Sequence, residues 1–285
     1  MTAVAYVLIA LFSAGQSVFA KYYDRAGGEK RLFNVRKMLC GFLLFLAVYL
    51  IEDPVFHLPT LFYGLIYGAL FTMALHCGYS ALQEGPMSLT SSVAAFYVAI
   101  PVIYGFVFLS EAVTAGKIAG LLLLPICIIL ISKKDGGSAS ASFSKKWVFY
   151  VTATMLCNGF CQILQKHHQL AYPGAYVAFF TFVSMAAPFL FFALKTAAGR
   201  GATAKNVKNG RIFGYLAGAC CSLASYGTLK LAGTENASVL FPIVSVGTIL
   251  SAVLFGRVLF KEKLSAFQIA AIGIGIAAVL LLKLA

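Results

Sequence analysis

Two amide side chains inside a long apolar stretch are the residues of this sequence best placed for solute chemistry. Asn158 and Gln162 are four positions apart, so they lie on the same face of a helix. Polar groups are costly in hydrocarbon and mark functional sites by default. Two amides on one stripe of an apolar helix therefore indicate a polar cavity in preference to contact with lipid.

A histidine and two tyrosines extend this set. His76 and Tyr79 are three positions apart and share a helix face. His76 is the one histidine well inside an apolar stretch, so proton-linked chemistry would depend on it, although a packing role is the alternative. Tyr226 follows His76 by 150 positions (76 to 226) and is expected to oppose it across related halves, unless both rings only pack between helices.

Further polar or aromatic side chains stand at intervals along other apolar stretches. Hydroxyl groups among them often bond back to their own helix, and serines that begin a stretch can be caps. The additional candidates are Ser13, Gln16, Ser91, Ser92, Phe96, Tyr97, Tyr104, Gln165, Ser222, Ser225, Ser245 and Thr248. The predicted substrate contacts are Gln16, His76, Tyr79, Phe96, Tyr97, Asn158, Gln162, Tyr226 and Ser245.

The nine acidic residues lie at the ends of apolar stretches or between them. Glu84 and Glu235 are either gate residues or solvated carboxylates. Glu111 is expected to be structural and to pair with Lys117, and Glu262 likewise with Lys263. Lys230 is expected to extend to the membrane interface. Because no central fixed charge remains, the pattern favours a neutral or zwitterionic solute, and aromatic rings could also hold a quaternary amine.

The elements that position these residues are predicted to be transmembrane helices. The chain of 285 residues is 61% hydrophobic and 11% charged, against about 25% charged residues in soluble domains. Lipid must solvate this surplus of apolar side chains. Continuously apolar runs favour helices over a β-barrel. The ten predicted spans are 3–20, 33–51, 59–82, 87–109, 115–132, 147–165, 174–194, 212–232, 237–259 and 265–283.

Other classes of protein fit the composition poorly. The net charge of +13 comes from short basic runs between apolar stretches, so no nucleic-acid partner is expected. The seven cysteines lie in apolar stretches without CxxC spacing, which predicts no metal site and no disulfide framework. No cofactor is expected. Residues 3–20 lack the positive segment of a secretory signal, so they are predicted to be a retained first helix.

The chain divides near its middle into two similar halves. Residues 133–146 form a Gly/Ser-rich interval with lysine pairs at both ends and are predicted to be a flexible linker. Gly64-x-x-x-Gly68 matches Gly214-x-x-x-Gly218 at 150 positions, and Glu111 matches Glu262 at 151. Residues 1–132 and 147–285 are therefore interpreted as two repeats of five helices each.

The basic residues test the orientation of these repeats. The loops after spans 1, 5, 7 and 9 hold 6, 4, 5 and 3 Lys or Arg, and four lysines lie on the opposite side. By the positive-inside rule the odd-numbered loops face the cytoplasm and both termini lie outside. Five helices per half, with basic loops that alternate in this way, predict two inverted repeats. The fold class is thus all-α, a polytopic membrane protein with ten transmembrane helices in two inverted five-helix repeats.

The chain resembles the EamA-type transporters of the drug/metabolite transporter superfamily. The residues that carry the resemblance are Ser91-Ser92-Val93, Ile100-Pro101 and Leu109-Ser110-Glu111 in the first half, and Ala237-Ser238 and Glu262-Lys263-Leu264-Ser265 in the second. The resemblance implies ten helices in a 5+5 arrangement, with helices 1, 3, 4, 6, 8 and 9 around a central cavity. The chain differs from the family in two respects. Many members have cytoplasmic termini, whereas the charges here place both termini outside. Small multidrug members carry a membrane-embedded glutamate in the first helix, whereas span 3–20 has none.

The function expected from these features is secondary active transport or exchange of a small metabolite, such as an amino acid or amine, across the inner membrane by alternating access. Inverted repeats are a common architecture of such carriers. A proton or a counter-substrate is the expected coupling partner, in a monomer or homodimer. The alternatives are a flippase for a lipid-linked group, an accessory subunit, or a membrane enzyme built around His167-His168, although an enzyme is not expected. Nucleotide-driven pumping by this chain alone is excluded because no GxxxxGK[ST] motif occurs.

Overall fold

The structure is a computed structural model that describes residues 2–52, 54–84, 90, 93–132, 144–198, 210–261 and 266–284. These residues form ten α-helices and no strand. The helices are α1 (Thr2–Arg25), α2 (Lys30–Ile51), α3 (Leu58–Glu84), α4 (Ala99–Phe108), α5 (Ala115–Ser132), α6 (Lys145–Ala171), α7 (Val177–Ala198), α8 (Arg211–Ala232), α9 (Ala237–Phe260) and α10 (Ala266–Leu284).

The prediction of an all-helical chain is confirmed for the described residues, and each of the ten helices overlaps one predicted span. That all ten helices cross a membrane stays a prediction. By length and composition, seven of them are able to cross a membrane, namely α1, α2, α3, α6, α7, α8 and α9. The described parts of the other three apolar helices are shorter, at 93–108, 115–130 and 269–282. The chain is therefore suited to be a multi-pass membrane protein.

Several helices are longer than the apolar runs that predicted them. Helix α1 continues to Arg25 and α6 to Ala171, whereas the predicted spans end at 20 and 165. Helix α4 is preceded by a 3₁₀ turn at Phe96–Val98. The predicted linker 133–146 lies outside the described residues except for Ser144 to Lys146, as do Ser91, Ser92, Glu262 and Lys263.

The chain folds into two compact units, each of which draws helices from both halves of the sequence. The first unit comprises Met1–Thr72 and His167–Gly233, and the second comprises Met73–Lys166 and Thr234–Ala285. In the first unit α1 packs on α8, and α2 packs on both α7 and α8. In the second unit α5 packs on α10, and α9 packs on α4, α5 and α10.

In the first unit, glycines form close contacts between α3 and α7, and glycines form matching contacts between α8 and α2. A Cβ added at Gly64 of α3 would meet Val183 of α7, and one at Gly214 of α8 would meet Arg36 of α2. Similarly, Gly68 lies against Ser184 and Ala187, and Gly218 lies against Lys37 and Cys40. The matching partners on α2 and α7 are always 147 positions apart (36 to 183, 37 to 184, 40 to 187).

One aromatic pair of the first unit joins two residues with this same spacing. Phe42 of α2 and Phe189 of α7 are also 147 positions apart. Their rings stack on each other with centroids 5.5 Å apart. A residue that contacts its own equivalent is expected where two related segments meet at a twofold axis.

The second unit contains the same kind of exchanged contact. A Cβ at Gly120 of α5 would lie 3.1 Å from the Ala278 carbonyl oxygen of α10. In the opposite sense, the Cys127 thiol of α5 donates to the Ala271 carbonyl of α10 at 3.3 Å. Both Gly120 to Ala271 and Cys127 to Ala278 are 151 positions, which is the spacing between Glu111 and Glu262.

Candidate functional site

The structure places seven of the nine predicted substrate contacts in the second unit, and brings two of them together. Tyr97 lies in the 3₁₀ turn before α4, next to Phe96, and its side chain hydrogen-bonds to the hydroxyl of Ser245 on α9. Ser245 is buried, whereas Phe96 and Tyr97 are half-buried. This pair joins two helices that the sequence separates by more than a hundred residues.

The predicted amide stripe of α6 lies in the second unit as well. The Asn158 amide donates to the Thr154 carbonyl at 2.9 Å, which is a bond within its own helix. The Gln162 side-chain oxygen is buried and has no hydrogen-bond partner among the described residues. A buried acceptor without a partner costs about 1–3 kcal/mol, so Gln162 is the member of the stripe that the fold leaves unsatisfied.

The other predicted contacts are dispersed. On α3, His76 is half-buried and Tyr79 is 39% exposed. The backbone carbonyl of His76 accepts a hydrogen bond from Ser80 at 3.0 Å. In the first unit, Gln16 of α1 accepts a hydrogen bond from the Lys37 ammonium of α2 at 2.8 Å. This bond joins α1 to α2, and a role of Gln16 in binding stays a prediction.

Tyr226, the second predicted contact in the first unit, lines a cavity of about 340 Å³. The cavity lies at the ends of three helices of that unit, and we name it the α2–α7–α8 cavity. Its lining includes Tyr49 and Glu52 from the end of α2, Tyr176 and Phe179 from the start of α7, and Tyr226 and Lys230 from the end of α8. A volume of this size is at the lower end of the range for small-molecule sites.

Tyr226 connects the two charged residues of this cavity. Its hydroxyl donates a long hydrogen bond of 3.4 Å to the Glu52 carboxylate. The Lys230 ammonium lies 5.2 Å from the centre of the Tyr226 ring, which is within cation–π range. Glu52 and Lys230 are both exposed. Lys230, which was expected to extend to the membrane interface, therefore also contacts an aromatic ring.

The aromatic walls of the cavity are held by further rings. Tyr226 stacks on the buried Phe45 with centroids 5.8 Å apart. Tyr49 lies 5.1 Å from Phe179, with an angle of 32° between the rings. Tyr176 is parallel to His57, with centroids 4.1 Å apart. Ring contacts of this kind stabilise an arrangement beyond the area they bury, so the walls are preformed.

Tyr176 also has a backbone conformation that is unusual for its residue type. Its φ angle is 54°, in the left-handed region that non-glycine residues seldom adopt. Its carbonyl accepts the Phe180 N–H at 2.8 Å and so begins α7. Strained residues of this kind collect at functional sites. The stack on His57 holds the ring in place at the rim of the cavity.

A hydrogen-bonded chain of four side chains continues from His57. The Thr60 hydroxyl bonds to His57 Nδ1 and to His168 Nε2, both at 2.9 Å. His168 Nδ1 contacts the Gln169 amide nitrogen at 3.0 Å, and the Gln169 oxygen accepts the Gly174 N–H at 3.1 Å. Because the Gly174 bond fixes the amide, His168 Nδ1 is an acceptor and His168 Nε2–H is the donor.

Hydrogen bonds to neighbouring side chains hold both members of the His167-His168 pair. His168 and Gln169 are fully buried. His167 Nδ1 bonds to the Tyr63 hydroxyl at 2.7 Å. Among the described residues no group of three or more His, Cys, Asp or Glu side chains is placed to hold a metal ion.

The acidic residues differ from their predicted pairing. Glu111 accepts hydrogen bonds from the backbone N–H groups of Ala237 at 2.6 Å and Ser238 at 2.9 Å, and from the Ser238 hydroxyl. It therefore caps the start of α9, where unpaired N–H groups favour a carboxylate. Lys117 donates to the Ala112 carbonyl instead, at 2.9 Å. The Glu235 carbonyl accepts from Lys166 at 2.7 Å, and the Glu84 side chain is exposed.

The remaining candidates do not contact one another through any bond described for them. Thr248 donates to the Val244 carbonyl of its own helix at 2.7 Å. The Ser222 hydroxyl is buried beside Gly41 and has no partner among the described residues. Tyr104 stacks on Phe108. Ser13, Gln165 and Ser225 lie within α1, α6 and α8.

The site predicted from sequence lacks Tyr49, Glu52 and Tyr176, and Lys230 was predicted only to extend to the membrane interface. Each lies at or near the end of an apolar stretch, where charged and aromatic residues are common. One signal was available, because these residues all fall next to the even-numbered loops. A carboxylate, an ammonium and several tyrosines on the same predicted side could have been grouped.

Comparisons with known proteins give a fold but no family. No family model matches the chain, and no curated protein matches its sequence. Among solved structures, one titled only as a crystal structure of a protein is similar over 99% of this chain and 96% of its own, with a TM-score of 0.80 and 15% sequence identity. The chain therefore shares the overall fold of a solved protein whose title does not state a function.

Proposed function

We propose that this chain is a secondary active transporter or exchanger that moves a small metabolite across the inner membrane by alternating access. It belongs, on this proposal, to the drug/metabolite transporter superfamily that its EamA-like motifs resemble. The two five-helix halves are inverted repeats, the basic odd-numbered loops face the cytoplasm, and both termini lie outside.

The observation that carries this proposal is the exchange of contacts between the two halves. Gly64 packs on Val183 as Gly214 packs on Arg36, and Gly120 meets Ala278 as Cys127 meets Ala271. Exchanged pairs of this kind are the signature of an isologous, twofold-related arrangement. Transporters built from repeats use such arrangements to pass between two nearly equivalent states.

Polar groups inside the apolar helices add a second line of support. Gln162 has a buried oxygen without a partner among the described residues, and Tyr97 and Ser245 join α4 to α9. All three were selected from sequence as contacts for a neutral or zwitterionic solute. A carrier requires polar groups inside the membrane, because a polar solute must replace its hydrogen bonds to water with hydrogen bonds to the protein.

Flux measurements with the purified chain in proteoliposomes test the proposal. A panel of labelled amino acids, amines and nucleobases is followed with and without a pH gradient. We expect uptake or counterflow of at least one solute, and a loss of flux in Gln162→Leu that is not seen in the control Leu164→Met. Complete absence of flux in a folded preparation would contradict transport and favour an accessory subunit or an enzyme.

The membrane orientation has its own test. Alkaline phosphatase fused after Ala285 is expected to be active, and green fluorescent protein at the same position is expected to be dark, because the C-terminus is proposed to lie outside. The opposite pair of results would overturn the orientation and leave the transport proposal intact.

A further inference from the structure

The α2–α7–α8 cavity contains one negative and one positive side chain that face a common space. Among the described residues, Glu52 and Lys230 are joined through Tyr226 and not by a direct ion pair. Each charge is therefore free to meet a ligand group of the opposite sign. Both are exposed, so a solute could reach them from the water phase.

The start of α7 adds a further site for a negative group. Val177, Ala178 and Phe179 line the cavity and form the first turn of this 22-residue helix. The N–H groups of a first turn have no acceptor within the helix, and the helix dipole favours an anion there. Lys230 and the α7 N-terminus therefore both favour a carboxylate, while Glu52 favours an ammonium group.

The aromatic rings restrict the rest of the ligand. Tyr49, Phe179 and Tyr226 line the cavity, and ring contacts with one another or with Phe45 hold them in place. Ring faces attract an ammonium and accommodate an apolar side chain. A volume of about 340 Å³ admits a molecule of amino-acid size.

We propose that the α2–α7–α8 cavity is a binding site for a small zwitterion of the amino-acid class. The ammonium group lies between Glu52 and the aromatic rings, the carboxylate faces Lys230 and the first turn of α7, and the apolar side chain contacts Tyr49 and Phe179. The zwitterion is a transported solute only if the proposed function holds, whereas the binding itself does not depend on transport.

Calorimetric titration of the full chain in detergent tests this site with defined probes. The zwitterions are L-leucine and L-phenylalanine, and each is compared with its amide, which has only the ammonium, and its N-acetyl form, which has only the carboxylate. We expect the zwitterions to bind at least about tenfold more tightly than either single-charge form, since a lost charged contact costs about 1.4 kcal/mol or more.

Two variants assign the ends of the ligand. Glu52→Gln is expected to weaken binding of the zwitterion and the amide by about tenfold and to leave binding of the N-acetyl form unchanged. Lys230→Gln is expected to weaken binding of the zwitterion and the N-acetyl form by about tenfold and to leave binding of the amide unchanged. Matched controls are Asp24→Asn and Lys145→Gln, which neutralise exposed charges outside the cavity. They are expected to bind all probes as the unmodified chain does.

The possible results separate this site from the transport proposal. The site is wrong if neither zwitterion binds, if single-charge forms bind equally well, or if Glu52→Gln and Lys230→Gln change no affinity. Flux in proteoliposomes that is unaffected by both variants would keep the transport proposal and show that the transported solute does not use this cavity. Charge-dependent binding without flux would keep the site and overturn transport.

Discussion

Substitution of Gly218 by alanine tests the close contact between α2 and α8 in the first unit. An added Cβ would lie 2.3 Å from the Lys37 carbonyl oxygen and 2.7 Å from the Cys40 side chain. Ordinary contact begins at 3.4 Å, so the two helices must separate locally by 1.1 Å, the difference between 3.4 Å and 2.3 Å. The backbone oxygen cannot rotate away as a flexible side chain could.

The expected free-energy change combines two opposing effects. Overpacking costs about 1–3 kcal/mol, and this contact belongs at the upper end because backbone must move. Replacing glycine by alanine within a helix returns about 1 kcal/mol. We therefore expect Gly218→Ala to lower the free energy of unfolding by about 2 kcal/mol, measured as reduced thermal stability in detergent.

Two other glycines provide an internal scale for this measurement. At Gly68 the added Cβ would lie 2.9 Å from the Ser184 carbonyl oxygen, and at Gly273 it would meet no atom within 4 Å. Gly68→Ala should therefore destabilise less than Gly218→Ala, and Gly273→Ala should be neutral or stabilising. A Gly218→Ala variant that is as stable as Gly273→Ala would refute the predicted clash between α2 and α8.

Three further predictions concern side chains of both units. Glu111→Ala leaves two N–H groups of α9 without acceptors and is expected to lower the free energy of unfolding by about 2 kcal/mol in chemical denaturation. Thr60→Val removes the hydroxyl between two imidazoles and is expected to cost about 1–3 kcal/mol in the same measurement. The double variant Asn158→Ser/Gln162→Ser is expected to melt at or above the temperature of the unmodified chain, because it removes the unpartnered Gln162 oxygen, but to lose flux in proteoliposomes.

The first two of these variants have matched controls. Glu111→Gln keeps an acceptor oxygen and should lose less stability than Glu111→Ala. Thr60→Ser keeps the hydroxyl and should remain close to the unmodified chain, so equal losses for serine and valine would show that the hydrogen bonds contribute nothing. For the double variant, unchanged flux would contradict a role of the amide stripe in transport.

The helices were predictable from sequence because hydrophobic runs of membrane length are a strong signal. Their ends were not, because a helix can continue into polar residues whose partners are distant in sequence. Helix α6 continues past 165 since Lys166 bonds to the Glu235 carbonyl and His168 bonds to Thr60. Hydropathy contains no information on such bonds.

The candidate site was predictable only in part. Tyr226 and Ser245 were selected as polar residues in apolar helices, and both have partners from other helices in the structure. Glu52 was not selected, because a carboxylate at the end of an apolar run is ordinary in sequence. Its importance comes from the packing of α2 on α7 and α8, which brings together residues far apart in the chain.

Comparison of the two proposed repeats separates the residues that helix packing requires from those that it does not require. Ile9 of α1 contacts Gly227 of α8, and Thr154 of α6 contacts Gly78 of α3. The contact between the first helix of one half and the third helix of the other half therefore accepts an isoleucine or a threonine at positions 145 apart (9 to 154).

At the same spacing, Asn158 corresponds to Ser13 and Gln162 to Ser17. Helix α1 folds with serines where α6 has amides, so the packing of a repeat does not require the amides. Gln162 moreover leaves a buried oxygen without a partner among the described residues, at a cost of about 1–3 kcal/mol. A side chain that packing does not select and that costs stability is best explained by a ligand, and this is why serines at both positions should preserve the fold and abolish transport.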